Sequence, residues 1–149
     1  MPKNAITNTR VHDRKNSTKK ATEGKSKLNR TEKQTAGSNA ARQFSLLLDL
    51  HDLLEDHLDD ENYTIDHLCR DLAISRSNLH KRLKALTGLS TSIYVRGYKL
   101  IRAQEILEGT NLNITQVAYE IGFEDPTYFT RVFSKTCKIS PKAFRKKLD

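Results

Sequence analysis

The spacing of apolar residues from about residue 41 to the end of the chain is typical of helices. Apolar side chains recur three or four positions apart, and no segment alternates apolar and polar residues convincingly. This pattern predicts an all-α fold of about seven helices. The first helix should run from about Arg42 to Leu58. Its expected buried face consists of Phe44, Leu47, Leu48, Leu50, Leu54 and Leu58.

Start and stop residues divide the rest of the chain into six further helices. Residues that cap helix N-termini precede them at Thr64, Ser75, Ser90, Asn113, Asp125 and Ser140. Pro126 and Pro141 follow two of these caps at the first helical position, where a missing N–H costs nothing. Gly88, Gly109 and Gly122 stand where three helices should end. The helix from Ser90 to about Glu108 is therefore predicted to be a long one.

Two segments repeat one pattern about fifty residues apart. The first copy has Ile65, Leu68, Cys69, Leu72, Ala73, Ser75, Leu79, Leu83, Leu89 and Ser90. The second copy has Ile114, Val117, Ala118, Ile121, Gly122, Asp125, Phe129, Phe133, Ile139 and Ser140, with one extra residue in its turn. Each copy is a short helix, a tight turn and a longer helix, which is the layout of a helix-turn-helix.

The second helix of each copy has a polar face without acidic residues. These faces hold Arg76, Ser77, Asn78, His80, Lys81 and Lys84 in the first copy, and Thr127, Tyr128, Thr130, Arg131, Ser134 and Lys135 in the second. Arg and Lys can read guanine edges, Asn and His can bond to bases or phosphates, and Thr can contact thymine methyl groups. A single face of this kind is also what an ordinary solvated helix shows. Two equivalent faces favour DNA reading.

The predicted linking helix has a length that suits two readers on one duplex. About eighteen residues at 1.5 Å per residue give roughly 27 Å. Successive major-groove faces on one side of DNA lie about 34 Å apart. A single chain could therefore reach adjacent major grooves, with some bending of the DNA.

The charges are unevenly distributed along the chain. Residues 1–40 hold ten Lys/Arg against three Asp/Glu, residues 41–72 carry a net charge of −7, and residues 73–149 carry +8. A basic face beside an acidic one suits a protein that docks one side on polyphosphate. Residues 1–40 contain few apolar side chains and are predicted to form a disordered basic tail. This tail could be a solvated segment without a specific role, a non-specific DNA arm or an organelle presequence.

The sequence offers no catalytic chemistry. It contains no nucleophile–base–acid arrangement, no glycine loop for phosphate and no cysteine–histidine cluster, so we expect no enzyme activity, no cofactor and no metal. Cys69 and Cys137 should be reduced core residues, and His51, His57 and His67 solvated or capping side chains. No small-molecule site is evident. Without a long apolar run or a secretory h-region, the chain is expected in the cytoplasm and not in a membrane.

The repeat also carries residues that match a known family. In the second half they are Ile114, Ala118, Ile121, Gly122, Phe123, Tyr128, Phe129, Arg131, Phe133, Lys135, Ser140, Pro141, Phe144 and Arg145. In the first half they are Leu68, Cys69, Ser75, Leu79, Arg82, Leu83, Lys84, Gly88, Tyr94, Lys99, Leu100 and Ala103. With them, residues 41–149 resemble the AraC/XylS-type helix-turn-helix DNA-binding domain, in which a long helix joins two such units. The segment 75–88 also looks like C-terminal domains of hybrid two-component regulators.

The resemblance implies a sequence-specific transcription regulator, an activator, that binds double-stranded DNA and recruits RNA polymerase. Base contacts are implied for Ser77, His80, Lys81, Thr127, Thr130 and Arg131. Phosphate contacts are expected for Arg76, Asn78, Lys84, Tyr128 and Lys135. Two other functions stay open at this point: the DNA-targeting module of a recombinase or transposase, and a helical protein–protein adaptor.

Three positions depart from the family pattern. Lys138 stands where glycine is usual, so the preceding helix either ends differently or holds a strained left-handed residue. Thr91 replaces a common proline, and Lys99 a common arginine. Such regulators also carry a sensing or receiver domain, which forty tail residues cannot form. The chain is thus expected to be either a short ligand-free regulator or a piece of a longer one.

Overall fold

The computed structural model describes residues 32–148, with side chains from residue 37 onwards. Over this range the chain is helical throughout and contains no strand. The seven helices are α1 (Glu32–Asp56), α2 (Ile65–Asp71), α3 (Arg76–Thr87), α4 (Thr91–Gly109), α5 (Ile114–Glu120), α6 (Pro126–Cys137) and α7 (Pro141–Lys146). The all-α prediction with seven helices is confirmed. We call α2 and α3 the first unit, and α5 and α6 the second unit.

Helix α1 differs from the prediction in its start and in its buried face. It begins at Glu32, ten residues before the expected Arg42. The rest of the predicted tail, residues 1–31, lies outside the described residues. Leu46 is buried, whereas Phe44 and Leu48 are 69% and 57% exposed. Leu46, Leu50 and Leu54 form one buried row at a spacing of four that meets the first unit, and the partly buried Leu47 and Leu53 pack beside it.

The apolar residues form two cores that share helix α4. The first core joins the Leu46 row of α1 to Leu68, Cys69, Leu79 and Leu83 of the first unit. The second core joins Leu58, Leu100, Ala103 and Leu107 to Val117, Ala118, Ile121, Phe123, Phe129 and Phe133. Tyr98 of α4 packs against both cores. Helix α4 therefore holds the two units in one body.

The repeat predicted from the sequence is present in the backbone. In the first unit the Ile74 N–H donates to the Cys69 carbonyl at 3.0 Å, and in the second the Phe123 N–H donates to the Ala118 carbonyl at 2.9 Å. Ala73 and Gly122 occupy equivalent places in these turns and have positive φ angles of 50° and 68°. The two units thus make the same turn with different side chains.

Lys138 also has a left-handed backbone, with φ 60°, directly after α6. This is the second of the two outcomes expected for a lysine in the place of the usual glycine. A left-handed conformation costs a residue with a Cβ roughly 1–2 kcal/mol. The C-terminal end of α6 therefore carries local strain.

Polar contacts join α1 to the outer side of α4. The Tyr98 hydroxyl donates to Glu55 Oε2 at 2.8 Å, and Arg102 Nη2 donates to Glu55 Oε1 at 2.7 Å. His51 Nε2 lies 2.6 Å from the Tyr94 hydroxyl, so His51 is an interhelical contact and not the solvated or capping side chain that was predicted. His67 does cap a helix, because its Nδ1 accepts from the Thr64 N–H at 3.2 Å.

Within residues 32–148, no helix is both long and apolar enough to cross a bilayer.

Candidate nucleic-acid interface

Helices α3 and α6 carry the predicted base contacts of the first and second units, and we call them the reading helices for that reason. Ser75 begins α3, and the Ser75 hydroxyl accepts a hydrogen bond from the Asn78 N–H at 3.2 Å. Leu79 and Leu83 are fully buried on its inner side. Ser77, His80 and Lys81 are therefore held on the opposite side, and all three side chains are exposed.

The reading helix of the second unit is α6. Its N-terminus is fixed by Asp125, whose carboxylate accepts from the Thr127 N–H at 2.8 Å, and by Pro126 in the first turn. Phe129 and Phe133 are fully buried on the inner side. On the outer side Thr127 and Arg131 are exposed, and Thr130 is half-buried.

The three positions proposed for base contacts are equivalent in the two units. At an offset of fifty residues, Ser77 corresponds to Thr127, His80 to Thr130, and Lys81 to Arg131. Each set has the spacing i, i+3 and i+4, which places its members on one helical face. Both faces thus offer a hydroxyl in the first turn and a cation one turn later.

Three surface depressions connect the reading faces. The first is lined by Arg76, Ser77, His80, Ile65, Thr91 and Ser92. The central one is lined by Ile65, Ser92, Val95, Arg96, Lys99, Gly122, Phe123, Glu124, Asp125, Tyr128 and Arg131. The third is lined by Ile114, Thr115, Pro126, Thr127, Thr130, Arg131 and Ser134. Because neighbouring depressions share Ile65, Ser92 and Arg131, the three depressions form one continuous stretch of surface that reaches both reading helices.

The residues predicted to contact phosphates lie around these faces. Asn78, Lys84 and Lys135 are exposed without lining any of the three depressions, and so is Lys81. Tyr128 lines the central depression, and its ring leans on Phe123 at a centroid distance of 6.0 Å.

Arg76 lines the first depression but is already paired. Its Nη1 lies 3.2 Å from Asp66 Oδ1, and both side chains are about two-thirds exposed. An ion pair this exposed contributes little to stability. Arg76 is therefore free to exchange Asp66 for an anion.

Sequence reasoning missed Arg96 and Ser92 of α4. Both are exposed, and both line the central depression between the two reading helices. The Arg96 side chain has no ion pair or hydrogen bond among the described residues, whereas Arg102 on the same helix pairs with Glu55 and Glu105. Ser92 and Arg96 are four residues apart, so the sequence does indicate that they share a polar face beside the apolar side of α4. The repeat covers only the two units, and it therefore did not single out residues of α4.

The described residues contain no cluster of His, Cys, Asp and Glu side chains that could hold a metal ion. Cys69 and Cys137 are both free thiols. Cys69 is buried as predicted, and burial, followed by the nearby Asp66, raises the pKa of its thiol. Cys137 is only partly buried and lies 3.1 Å from the Gln104 amide nitrogen. Neither cysteine belongs to the reading faces.

Sequence comparison places the repeat in a described family. Residues 68–147 match the family model described as "Helix-turn-helix domain". The chain is 32% identical over 111 residues to "HTH-type transcriptional activator RhaS" of Escherichia coli, covering 74% of this chain and 38% of that protein. It is 29% identical over 93 residues to "Histidine kinase P4" of Formosa agariphila, covering 62% of this chain and 7% of that protein. The chain thus spans a minor part of these relatives.

Solved structures have the same fold. A transcriptional regulator of Chromobacterium violaceum, described as an AraC-type DNA-binding domain-containing protein, matches with a TM-score of 0.65 at 24% identity, over 72% of this chain and 96% of that one. The DNA-binding domain of AdpA, solved with a target DNA, matches with a TM-score of 0.62 at 24% identity, over 68% and 90% of the two chains. The resemblance to the AraC/XylS type is confirmed. Since the family model matches more than half of the residues, this chain belongs to the helix-turn-helix domain family.

Proposed function

We propose that this chain is a sequence-specific DNA-binding transcription regulator without enzyme activity, which reads two adjacent major grooves with α3 and α6. The observation that carries the proposal is the pair of acid-free faces, equivalent at the three base-contact positions, that border one continuous stretch of surface. Helix α4 has 19 residues, or about 28 Å at 1.5 Å per residue. That length suits two grooves about 34 Å apart.

The side chains divide by what each can recognise. Lys81 and Arg131 are proposed to read guanine edges, with Arg131 able to do so through two hydrogen bonds. His80 and the hydroxyls of Ser77, Thr127 and Thr130 are proposed to contact neighbouring base edges or thymine methyl groups. Arg76, Asn78, Lys84, Tyr128 and Lys135 are proposed phosphate contacts, which set the register of the protein without reading sequence.

Arg96 and Ser92 extend the proposal to the DNA between the two major grooves. When two major grooves face a protein, the minor groove and its flanking phosphates face the same protein between them. Arg96 lies at that place, exposed and without an acidic partner in the described part of the chain. We propose that it contacts the central phosphates or the minor groove, where arginine is favoured when the groove is narrow.

Activation through RNA polymerase is the part of the proposal that concerns regulation. The relative RhaS is named a transcriptional activator. In this chain, Asp49, Asp52 and Asp56 are exposed on α1, and none of them lines the three depressions. A polymerase subunit could therefore dock on α1 while α3 and α6 hold DNA.

In-vitro selection from a random duplex library tests the proposal. We expect a recovered site with two conserved blocks one helical turn apart, bound at least 10³-fold more tightly than random DNA at physiological salt. An adaptor protein would recover no motif. A recombinase module would recover a site that matches terminal repeats, and a reporter gene behind the selected site would then show no change in transcription.

A further inference from the structure

Gly122 occupies a turn position that does not by itself require glycine. Its counterpart in the first unit, Ala73, has nearly the same left-handed backbone, with φ 50° against 68°. Ala73 is exposed, so its methyl group meets nothing that prevents the turn. The positive φ favours glycine at position 122, and the surroundings of Gly122 add a second reason for it.

Those surroundings are the segment that joins α1 to α2, residues 57–64, which we call the corner. A Cβ added to Gly122 would lie 2.7 Å from the Leu58 carbonyl oxygen and 3.3 Å from the Asp60 carbonyl carbon. Side-chain carbons do not approach backbone oxygens this closely, so the corner would have to move. The turn of the second unit is therefore seated directly on the corner, which comes from the N-terminal half of the chain.

Lys99 of α4 closes this contact from a third side. Its Nζ donates to the Gly122 carbonyl at 3.5 Å and would lie 2.8 Å from a Cβ at Gly122. Burial lowers the pKa of Lys99, and the nearby Asp60 and Asp59 partly offset that effect. A half-buried lysine is thus held where the corner, α4 and the second unit meet.

Leu58 adds an apolar contact to the same junction. It follows α1, whose buried leucines belong to the first core, yet Leu58 is buried in the second core. The second unit is therefore attached to the rest of the domain in two places, along α4 and at the corner. A second attachment beside the one along α4 restricts rotation of the second unit about the axis of α4.

We propose that this junction, formed by Leu58, Asp60, Lys99 and Gly122, sets the distance and rotation between the two reading helices, and with them the spacing of the DNA half-sites. Lys99 and Gly122 are then positioning residues that need not touch DNA bases. The inference rests on the proposed two-groove function. It adds to that function a structural reason why the two DNA half-sites must lie a fixed distance apart.

Strict spacing has a measurable consequence. Each base pair inserted between the half-sites moves one of them by about 3.4 Å and rotates it by about 34° around the helix axis. A rigid junction cannot follow this change, so the wild-type chain should lose on the order of tenfold or more in affinity. A loosened junction keeps both units tethered through α4 and tolerates the insertion, because the second contact is still made within one chain.

The test compares four variants on duplexes derived from the selected site, the fourth being Lys99→Arg. Lys99→Met removes the donor, and Gly122→Ala forces the corner to move. Gly88→Ala is the matched control, because Gly88 has a similar φ of 74° with open space around its Cβ position. Dissociation constants are measured on the selected duplex, on duplexes with one or two base pairs inserted, and on duplexes with either half-site scrambled. Circular dichroism and thermal melting check that each variant is folded.

We expect the affinity loss on insertion to fall from tenfold or more to about threefold or less in Lys99→Met and Gly122→Ala. Gly88→Ala should keep the wild-type loss, and affinity for single half-sites should change less than twofold in all variants. Lys99→Arg, which retains a donor, should restore the spacing dependence.

Unchanged spacing dependence in folded Lys99→Met would overturn the inference, whether or not Gly122→Ala folds. Equal losses on single half-sites and on the complete site would also overturn it, since they indicate direct DNA contact. If the selected site has two blocks but the wild-type chain tolerates insertions between them, the proposal about the junction is refuted and the two-groove function is not. Recovery of a one-groove site would refute the proposed function together with it.

Discussion

Thr91 is the position at which the two repeats suggest a stabilising substitution. Thr91 is 5% exposed, and its buried hydroxyl has no hydrogen-bond partner in the described part of the chain. Its counterpart fifty residues later is Pro141, at the same first helical position. The residues before them, Ser90 and Ser140, have nearly identical backbones with ψ 156° and 153°, which suit a following proline. The backbone before position 91 therefore already has the conformation that Thr91→Pro requires.

The expected gain has two sources. An unsatisfied buried hydroxyl costs about 1–3 kcal/mol, and a compatible proline adds about 0.4–1 kcal/mol by restricting the unfolded chain. Loss of the threonine methyl contacts reduces the sum, and single stabilising substitutions commonly yield about 0.5–2 kcal/mol. We expect the free energy of unfolding to rise by about 1–2 kcal/mol, and Tm by about 4–8 °C for a domain of this size.

Urea denaturation, monitored by circular dichroism, measures the free energy of unfolding. Two further variants separate the contribution of the hydroxyl from that of the proline. Thr91→Val replaces the hydroxyl with a methyl group and should retain about half of the gain. Pro141→Thr makes the reverse change in the second copy and should destabilise the domain. If Thr91→Val is no more stable than the wild type, the hydroxyl is satisfied and the reasoning fails. A less stable Thr91→Pro would show that the Thr91 N–H or its methyl group is needed.

Four further results are expected. Measured by fluorescence anisotropy, Arg131→Ala should weaken binding to the selected duplex by about 1–3 kcal/mol and relax preference at one base pair. Lys135→Ala should weaken binding to all duplexes alike. Equal losses of affinity on selected and random DNA would make Arg131 a phosphate contact. Arg96→Ala should lower affinity and reduce the slope of log K against log salt by about 0.9 without altering base preference, so an unchanged slope would remove Arg96 from the interface. Deleting residues 1–31, which contain nine Lys/Arg, should flatten the salt dependence of non-specific binding if they form a DNA arm, and an identical slope would exclude that role. Burial and the hydrogen bond to Glu55 raise the pKa of Tyr98 to about 12, so the folded chain keeps this proton between pH 10 and 12 while the unfolded chain releases it. The free energy of unfolding should consequently fall across that window by at most about 3 kcal/mol in the wild type and by less in Tyr98→Phe; urea titrations at pH 9.5 and 11.5 that show equal falls for the two proteins would contradict this.

The sequence was sufficient where local chemistry decides the structure. Side chains of Ser75, Ser90, Asn113, Asp125 and Ser140 accept hydrogen bonds at the helix starts predicted for them. The internal repeat predicted two equivalent turns, and the backbone hydrogen bonds of those turns coincide. The base-reading and phosphate-contacting roles remain predictions, because exposure on the right face is necessary for them without being sufficient.

What the sequence did not predict depends on contacts between distant segments. The leucines of α1 are closely spaced, so periodicity could not show that the Leu46 row packs inward while Phe44 and Leu48 stay exposed. In the sequence, Gly122 was interpreted as the end of a helix. The close approach of the Leu58 carbonyl oxygen is a further reason for glycine there. Arg96 lies between the readers only because α4 crosses both cores. In each case the deciding neighbours lie in other elements of the fold.

Hydroxyl-radical footprinting on the selected duplex tests the two-groove claim most directly. A single chain that presents α3 and α6 to one side of the DNA should shield two stretches of backbone, centred about 10 base pairs apart on the same side. Cutting between them should be reduced as well if Arg96 contacts the central phosphates. One shielded stretch, or two on opposite sides of the duplex, would contradict the account.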